Sequence, residues 1–250
     1  MKATIRLVLL TALRDRLFTG LIVLLALSAA LAVFLGGTAL TEQIETAVVF
    51  AAGAGRIVLV LGLTIFAALH IQSLFETREV EAILARALSR SNFVVAYWIG
   101  IACVAAALAA VFGAGIAMLT SSKLGALWWT GTLIAECIIV MAVAIFAGLM
   151  LERATPTVLF TMGFYALARL LGFFVGIREA ASDLSAISRI VKWGLDAILL
   201  FVPRLDLFAQ TQWLVYGARQ MELSYVAAQV ALFLALILAA ASFDLSRKQF

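Results

Sequence analysis

Charge is scarce in this chain. Only 13% of its 250 residues are Asp, Glu, Lys or Arg, against about one quarter in a soluble domain, and 65% are hydrophobic. That balance excludes a water-soluble globular protein and leads us to expect an integral membrane protein. The sequence has two prolines, so no long apolar run is broken inside. A single histidine and a single carboxylate deep in an apolar run do not assemble an intramembrane hydrolase or lipid-transferase site. The two cysteines, Cys103 and Cys137, lie in apolar runs without disulfide or metal spacing and read as buried packing residues with free thiols. No Gly-x-x-x-x-Gly-Lys-Ser/Thr phosphate loop occurs, so the chain is expected neither to hydrolyse ATP by that mechanism nor to hold a cofactor. The formal net charge of +4 fits loops on the cytoplasmic side of a membrane, and no basic stripe points to nucleic acid.

What is present is a series of apolar segments. Residues 1–16 carry Lys2, Arg6, Arg14 and Arg16 among helically spaced aliphatics, the pattern of a basic interfacial helix. The following run is longer than the core of a signal peptide and is read as an anchor. Six spans are expected, at about 17–35, 57–75, 93–119, 127–150, 156–175 and 225–243. A polar loop over 38–55 separates the first two. The pair Trp128-Trp129 is placed at the membrane interface before span four. Between spans five and six, residues 176–223 hold balanced charges and amphipathic helices, the last over 205–217 with Trp213 and Tyr216 as interface anchors. Even span number puts both termini on one side. That side holds about ten Lys and Arg, which makes it cytoplasmic.

The densest charge between spans is at residues 76–90. Their charges are Glu76, Arg78, Glu79, Glu81, Arg86 and Arg90, while Val80, Ile83, Leu84, Ala87 and Leu88 fall at the spacing of the apolar stripe of an amphipathic helix. An acidic cluster, an apolar turn and Ser89-Arg90 leading into a span resemble the first cytoplasmic loop of ABC-2 type transporter permeases. The match departs from that family's pattern at Glu81-Ala82, Ala87 and Tyr97, where Gly-Thr, Pro and Lys are common. The order of elements over nearly the whole chain resembles the same family, as does Val202-Pro203-Arg204-Leu205-Asp206-Leu207-Phe208 before the last span.

The resemblance implies an all-α membrane protein with an interfacial N-terminal helix, six spans, a coupling helix between spans two and three, and extracytoplasmic amphipathic helices between spans five and six. It implies a non-catalytic permease, an exporter in the bacterial inner membrane. The partner would be an ATPase in two copies that carries ATP and Mg, with Glu76, Glu79, Glu81, Arg86 and Arg90 as contacts to it. It also implies a homodimer or a pairing with a related permease, for which the row Ala168, Gly172 and Gly176 is one candidate contact; packing within the chain is the other. A membrane anchor for a peripheral complex and a secondary transporter remain as alternative readings.

Three ionisable residues are expected inside spans, His70, Glu136 and Arg169, and such positions are functional candidates because a charge in hydrocarbon is costly. Counted back from the turn at 152–156, Glu136 and Arg169 lie at one depth on adjacent antiparallel helices and can pair. The pair reads either as a structural bridge or as part of a substrate path. His70 reads as packing or as a pathway residue.

Overall fold

A computed structural model of the chain describes residues 8, 10–12, 16–38, 42–77, 90–180, 193–195, 197–198, 201–217 and 223–247. Among them there is no strand. Five long helices run in sequence, α1 (Arg16–Gly37), α2 (Gln43–Glu76), α3 (Arg90–Leu119), α4 (Lys123–Leu151) and α5 (Ala154–Ala180). A 3-10 turn at Leu205–Leu207 and the short α6 (Gln212–Tyr216) precede the last long helix, α7 (Leu223–Arg247). The six long helices are each long and apolar enough to cross a membrane, and each contains most of one expected span. Their outward faces agree with that. On α1, Leu24, Leu27, Leu31 and Phe34 are all more than half exposed, a stripe that water would not tolerate and hydrocarbon would.

The helices form an antiparallel bundle around α4. In its most apolar stretch 72% of residues are buried, against 17% in α1 and α7, so α4 is the axis and those two are peripheral. Hydroxyls along the bundle fold back onto their own helix. Thr64, Thr130, Thr132 and Thr157 each donate to the carbonyl four residues earlier, at 2.7–2.8 Å. In a medium without water this satisfies a donor that would otherwise cost several kcal/mol.

Turns are closed by neighbours as well as by local caps. Ser122 caps α4 by accepting from Gly125 N at 3.2 Å, and Lys123 Nζ donates to the end carbonyls of α3, Ala117 O at 2.6 Å and Thr120 O at 3.2 Å. A cation there also suits the negative end of the α3 dipole. Gln72 of α2 accepts from Ala154 N at 2.8 Å and so satisfies an otherwise orphan N–H at the start of α5.

Several expectations need correction. The polar loop expected over 38–55 is helical from Gln43 onward, because Val48, Ala51, Ala52 and Gly55 give α2 a buried face well before Ile57. At 34 residues α2 is about 51 Å long, well beyond a hydrocarbon core of about 30 Å. Trp129 is fully buried, not interfacial, and so is most of Trp213. Cys103 is exposed on α3, whereas Cys137 is buried. The single short helix expected over 205–217 is instead a 3-10 turn, a reversal and α6.

Gly125 marks the closest approach in the bundle. A Cβ there would run into the backbone carbonyl of Trp213, so α4 can meet α6 only through a glycine. We expect Gly125→Leu to lower the apparent melting temperature in detergent by several degrees, since overpacking of a rigid contact costs about 1–3 kcal/mol. Gly131→Leu, on an open face of the same helix, should leave it unchanged.

Candidate functional site

Glu136 lies at the midpoint of the central helix and its side chain is wholly buried. A carboxylate at that depth is tolerated only beside opposite charge. Arg169 of α5 supplies it, with its guanidinium 3.6 Å from Glu136 Oε2. Arg56 of α2 adds a second positive charge to the same neighbourhood, and Tyr165 stands alongside. All three charged residues lie within about 5 Å of their helix midpoints along the axis. Neither oxygen of Glu136 accepts a hydrogen bond of strict geometry from a described group, so opposite charge, with the Tyr165 hydroxyl beside it, is what holds it.

The arginines spend their donors elsewhere. Arg169 donates from one nitrogen to Leu205 O and to Phe208 O, the latter at 2.7 Å. Arg56 donates to Ala209 O at 2.8 Å, and the buried indole of Trp129 donates to the same carbonyl at 3.0 Å. Ala209 N in turn donates to Thr132 Oγ1 at 3.0 Å, while Thr120 donates to Leu214 O. Residues 203–214 therefore form an irregular segment packed into one end of the bundle, with Leu205–Ala209 reached by the side chains of Arg56 and Arg169 and residues 211–214 beside the starts of α2 and α4. Such backbone survives at membrane depth only where protein satisfies its polar groups. Here α2, α4 and α5, together with Thr120 just past the end of α3, each contribute a side-chain donor or acceptor to it.

The reversal in this segment is at Ala209, whose φ of 43° is left-handed, a conformation that costs a residue with a Cβ about 1 kcal/mol or more. Three hydrogen bonds to the N–H and C=O of that one residue hold it there. Phe208 and Leu205 are fully buried beneath it. Arg204 and Asp206 pair with each other at 2.9 Å. Gly172 of α5 packs against the Asp206 carboxylate, and Ala168 is wholly buried, so two members of the small-residue row face the chain's own interior. Gly176 has open space beside it.

His70 is a separate feature. It lies about 20 Å along α2 from Arg56, and its ring stacks between Phe66, at 5.7 Å, and Tyr97 of α3, at 5.5 Å. Phe93 extends the stack from Tyr97 at 5.8 Å. His70 thus ties α2 to α3 and is not brought to the charged cluster. Glu76, at the end of α2, accepts from Gln72 at 2.6 Å. Arg90, at the start of α3, donates to Leu245 O at 2.7 Å and Ser246 O at 3.0 Å, joining α3 to the end of α7. Glu79, Glu81 and Arg86 lie outside the described residues.

Arg56 is the residue that sequence reading missed. It is the one charge between Glu45 and Glu76, and that isolation is a usable signal. Placing it at the end of a loop hid the signal. Nothing in the sequence marks Trp129, Thr132 or Ala209 as its companions.

Fold and site together define an all-helical polytopic membrane protein with a charged cluster near the midpoints of its central helices and an irregular segment clamped upon it. In comparison with protein-family models and with curated proteins, nothing matches this chain. No group of three or more His, Cys, Asp or Glu able to hold a metal ion occurs among the described residues.

The cluster makes a quantitative prediction. Glu136→Gln leaves two arginines without their buried counter-charge and should cost about 3–5 kcal/mol, a fall on the order of 10 °C in apparent melting temperature. Arg169→Gln should cost a similar amount. The double variant should lose clearly less than the sum, a coupling of at least about 1 kcal/mol in a double-mutant cycle. Independently, Ala209→Val should destabilise more than Ala209→Gly, because only glycine adopts the positive φ without strain.

Proposed function

We propose that this chain is the transmembrane permease subunit of an ATP-driven exporter of the ABC-2 plan, coupled to two copies of a separate ATPase through residues 76–90. The observation that carries the reading is the reach of α2. One continuous helix ends at Glu76, where the charged connection begins, and carries Arg56 about 30 Å away on the clamp of the irregular segment. A rigid element that meets both a cytoplasmic docking segment and that clamped segment converts a push at one end into release at the other.

In this reading the ATPases bind Glu79 and Glu81, with Glu76, Arg86 and Arg90 flanking, while ATP and Mg stay on the partner. Closure of the ATPases tilts α2 and α3 together, because the aromatic stack around His70 ties them to each other. Arg90 carries the motion into α7. Arg56 is drawn off Ala209 O, and the irregular segment opens toward the outside. A polar cavity of ≈ 640 Å³ lined by Gln72, Glu76, Glu152, Arg153 and Thr155 lies beside the docking segment and gives a partner side chain a place to enter. Both termini face the cytoplasm of a bacterial inner membrane, and two permease chains, identical or related, enclose the path. This chain itself catalyses nothing.

A second reading is a secondary transporter, favoured by the charged cluster near the helix midpoints, the depth at which such proteins bind their substrates. Partner identity separates the two. Purified from its native membrane, the chain should bring a stoichiometric companion with a phosphate-binding loop. Glu79→Lys with Glu81→Lys should lose that companion, by tenfold or more in recovery, at unchanged melting temperature. A chain recovered without any ATPase contradicts the proposal, and retention of the ATPase by the double variant contradicts the docking residues.

A further inference from the structure

Thr161 departs from the rule that the other buried threonines of the bundle follow. Thr64, Thr132 and Thr157 each donate back to their own helix, and Thr120 donates to Leu214 O. Thr161 lies one turn beyond Thr157 on the same enclosed face of α5 and is wholly buried. Its hydroxyl nevertheless has no hydrogen-bond partner among the described residues. Tyr165 follows one turn later on that face, also buried, and its hydroxyl beside Glu136 makes no bond of strict geometry either.

These hydroxyls do not stand alone. Both oxygens of Glu136 and Nε of Arg56 are likewise enclosed without a partner among the described residues. The face of α5 that carries Thr161 and Tyr165 packs on α2 and α4, the helices that supply Arg56 and Glu136. Counted from the turn at 152–153, Thr161 is level with Ala144 of α4, a small apolar side chain with no polar group to offer it. Protein interiors seldom leave such a set unpaired, because each buried orphan keeps its full desolvation penalty.

Hydrogen-bonding capacity selects the ligand. Glu136 only accepts, Arg56 Nε only donates, and the two hydroxyls do both. A metal cation satisfies the carboxylate but is repelled by Arg56 and Arg169. An anion satisfies the guanidinium but is repelled by Glu136 and leaves its oxygens bare. Water accepts from Arg56 and from a hydroxyl and donates to Glu136, and a buried water with about three such partners is a regular part of a protein interior.

We propose that ordered water is bound inside the bundle between α2, α4 and α5, along the face of α5 from Thr161 to Tyr165, where the two hydroxyls, Arg56 Nε and the Glu136 carboxylate hold it. The site is independent of the transport reading. It gives the carboxylate the donors that the arginines direct to backbone carbonyls, and it makes the charged cluster an enclosed wet site within an otherwise apolar bundle.

The experiment is X-ray radiolytic labelling of the detergent-solubilised protein, in which hydroxyl radicals made from a bound water oxidise the side chains that touch it. Trp129 is the internal control, since it is fully buried and its indole N–H is already bonded to Ala209 O. Tyr165 should be oxidised on the order of tenfold faster than Trp129. Thr161→Val keeps the side-chain shape, and it should cut the Tyr165 rate several-fold. It should also lower the apparent melting temperature by about 2–4 °C, because the water loses a partner. Thr157→Val, one turn away with its hydroxyl already satisfied, should leave the Tyr165 rate unchanged. Tyr165 oxidised no faster than Trp129 overturns the proposal, as does an unchanged Tyr165 rate in Thr161→Val. A higher melting temperature for Thr161→Val is what removal of a dry, unpaired hydroxyl produces, and it overturns the proposal too. A melting temperature of the parent that rises with chloride but not with gluconate at equal ionic strength assigns the site to an anion and has the same consequence.

Discussion

A carboxylate at the centre of a membrane-spanning bundle constrains everything around it. Glu136 is shut off from bulk water, so its helix must be the enclosed one, and α4 is. It needs positive charge at its own depth, which fixes the axial positions of α2 and α5 through Arg56 and Arg169. Those guanidiniums carry more donors than one carboxylate satisfies, and a buried unsatisfied donor is costly. The carbonyls of Leu205, Phe208 and Ala209 take them up. The irregular segment after α5 is therefore held against the bundle by the same charges that hold the helices in register.

This chain of dependence links stability to function. The clamp's hydrogen bonds to backbone are made in one geometry and are lost after a shift of one or two ångströms, while the Coulomb attraction behind them fades more gradually. α2 takes part in both regions, in the clamp through Arg56 and in the α2–α3 connection through Glu76. The aromatic stack of Phe66, His70, Tyr97 and Phe93 ties α2 to α3 near that connection. The transport reading needs these two properties, a lever and a release, and it rests on their being in one helix.

Much of the fold is legible in the sequence because hydrocarbon is a simple solvent. Twenty or so apolar residues can do little but cross it as a helix, so the six long helices follow from hydropathy. The shared depth of Glu136 and Arg169 follows from counting residues back from the 152–156 turn. Other features depend on tertiary contact and leave no such trace. The burial of Trp129 and Trp213 at places where tryptophan suits an interface arises from the irregular segment packing on α4. The early start of α2 and the membership of Arg56 in the cluster have the same origin. A charged residue in an apolar run looks like a boundary until something inside the protein is there to receive it. Gly172 shows the converse, since a small residue that suits a helix–helix contact between chains meets Asp206 of its own chain.

The clamp is tested most directly by hydrogen–deuterium exchange of the detergent-solubilised protein, followed at the amides of residues 205–214. With Ala209 N bonded to Thr132 and the segment packed against α2, α4 and α5, the amide of Ala209 and its buried neighbours should exchange as slowly as those of α4, over hours. Exchange within seconds, at the pace of an exposed connection, would show that the segment is not held against the bundle. The charged cluster would then be a bridge between helices and nothing more.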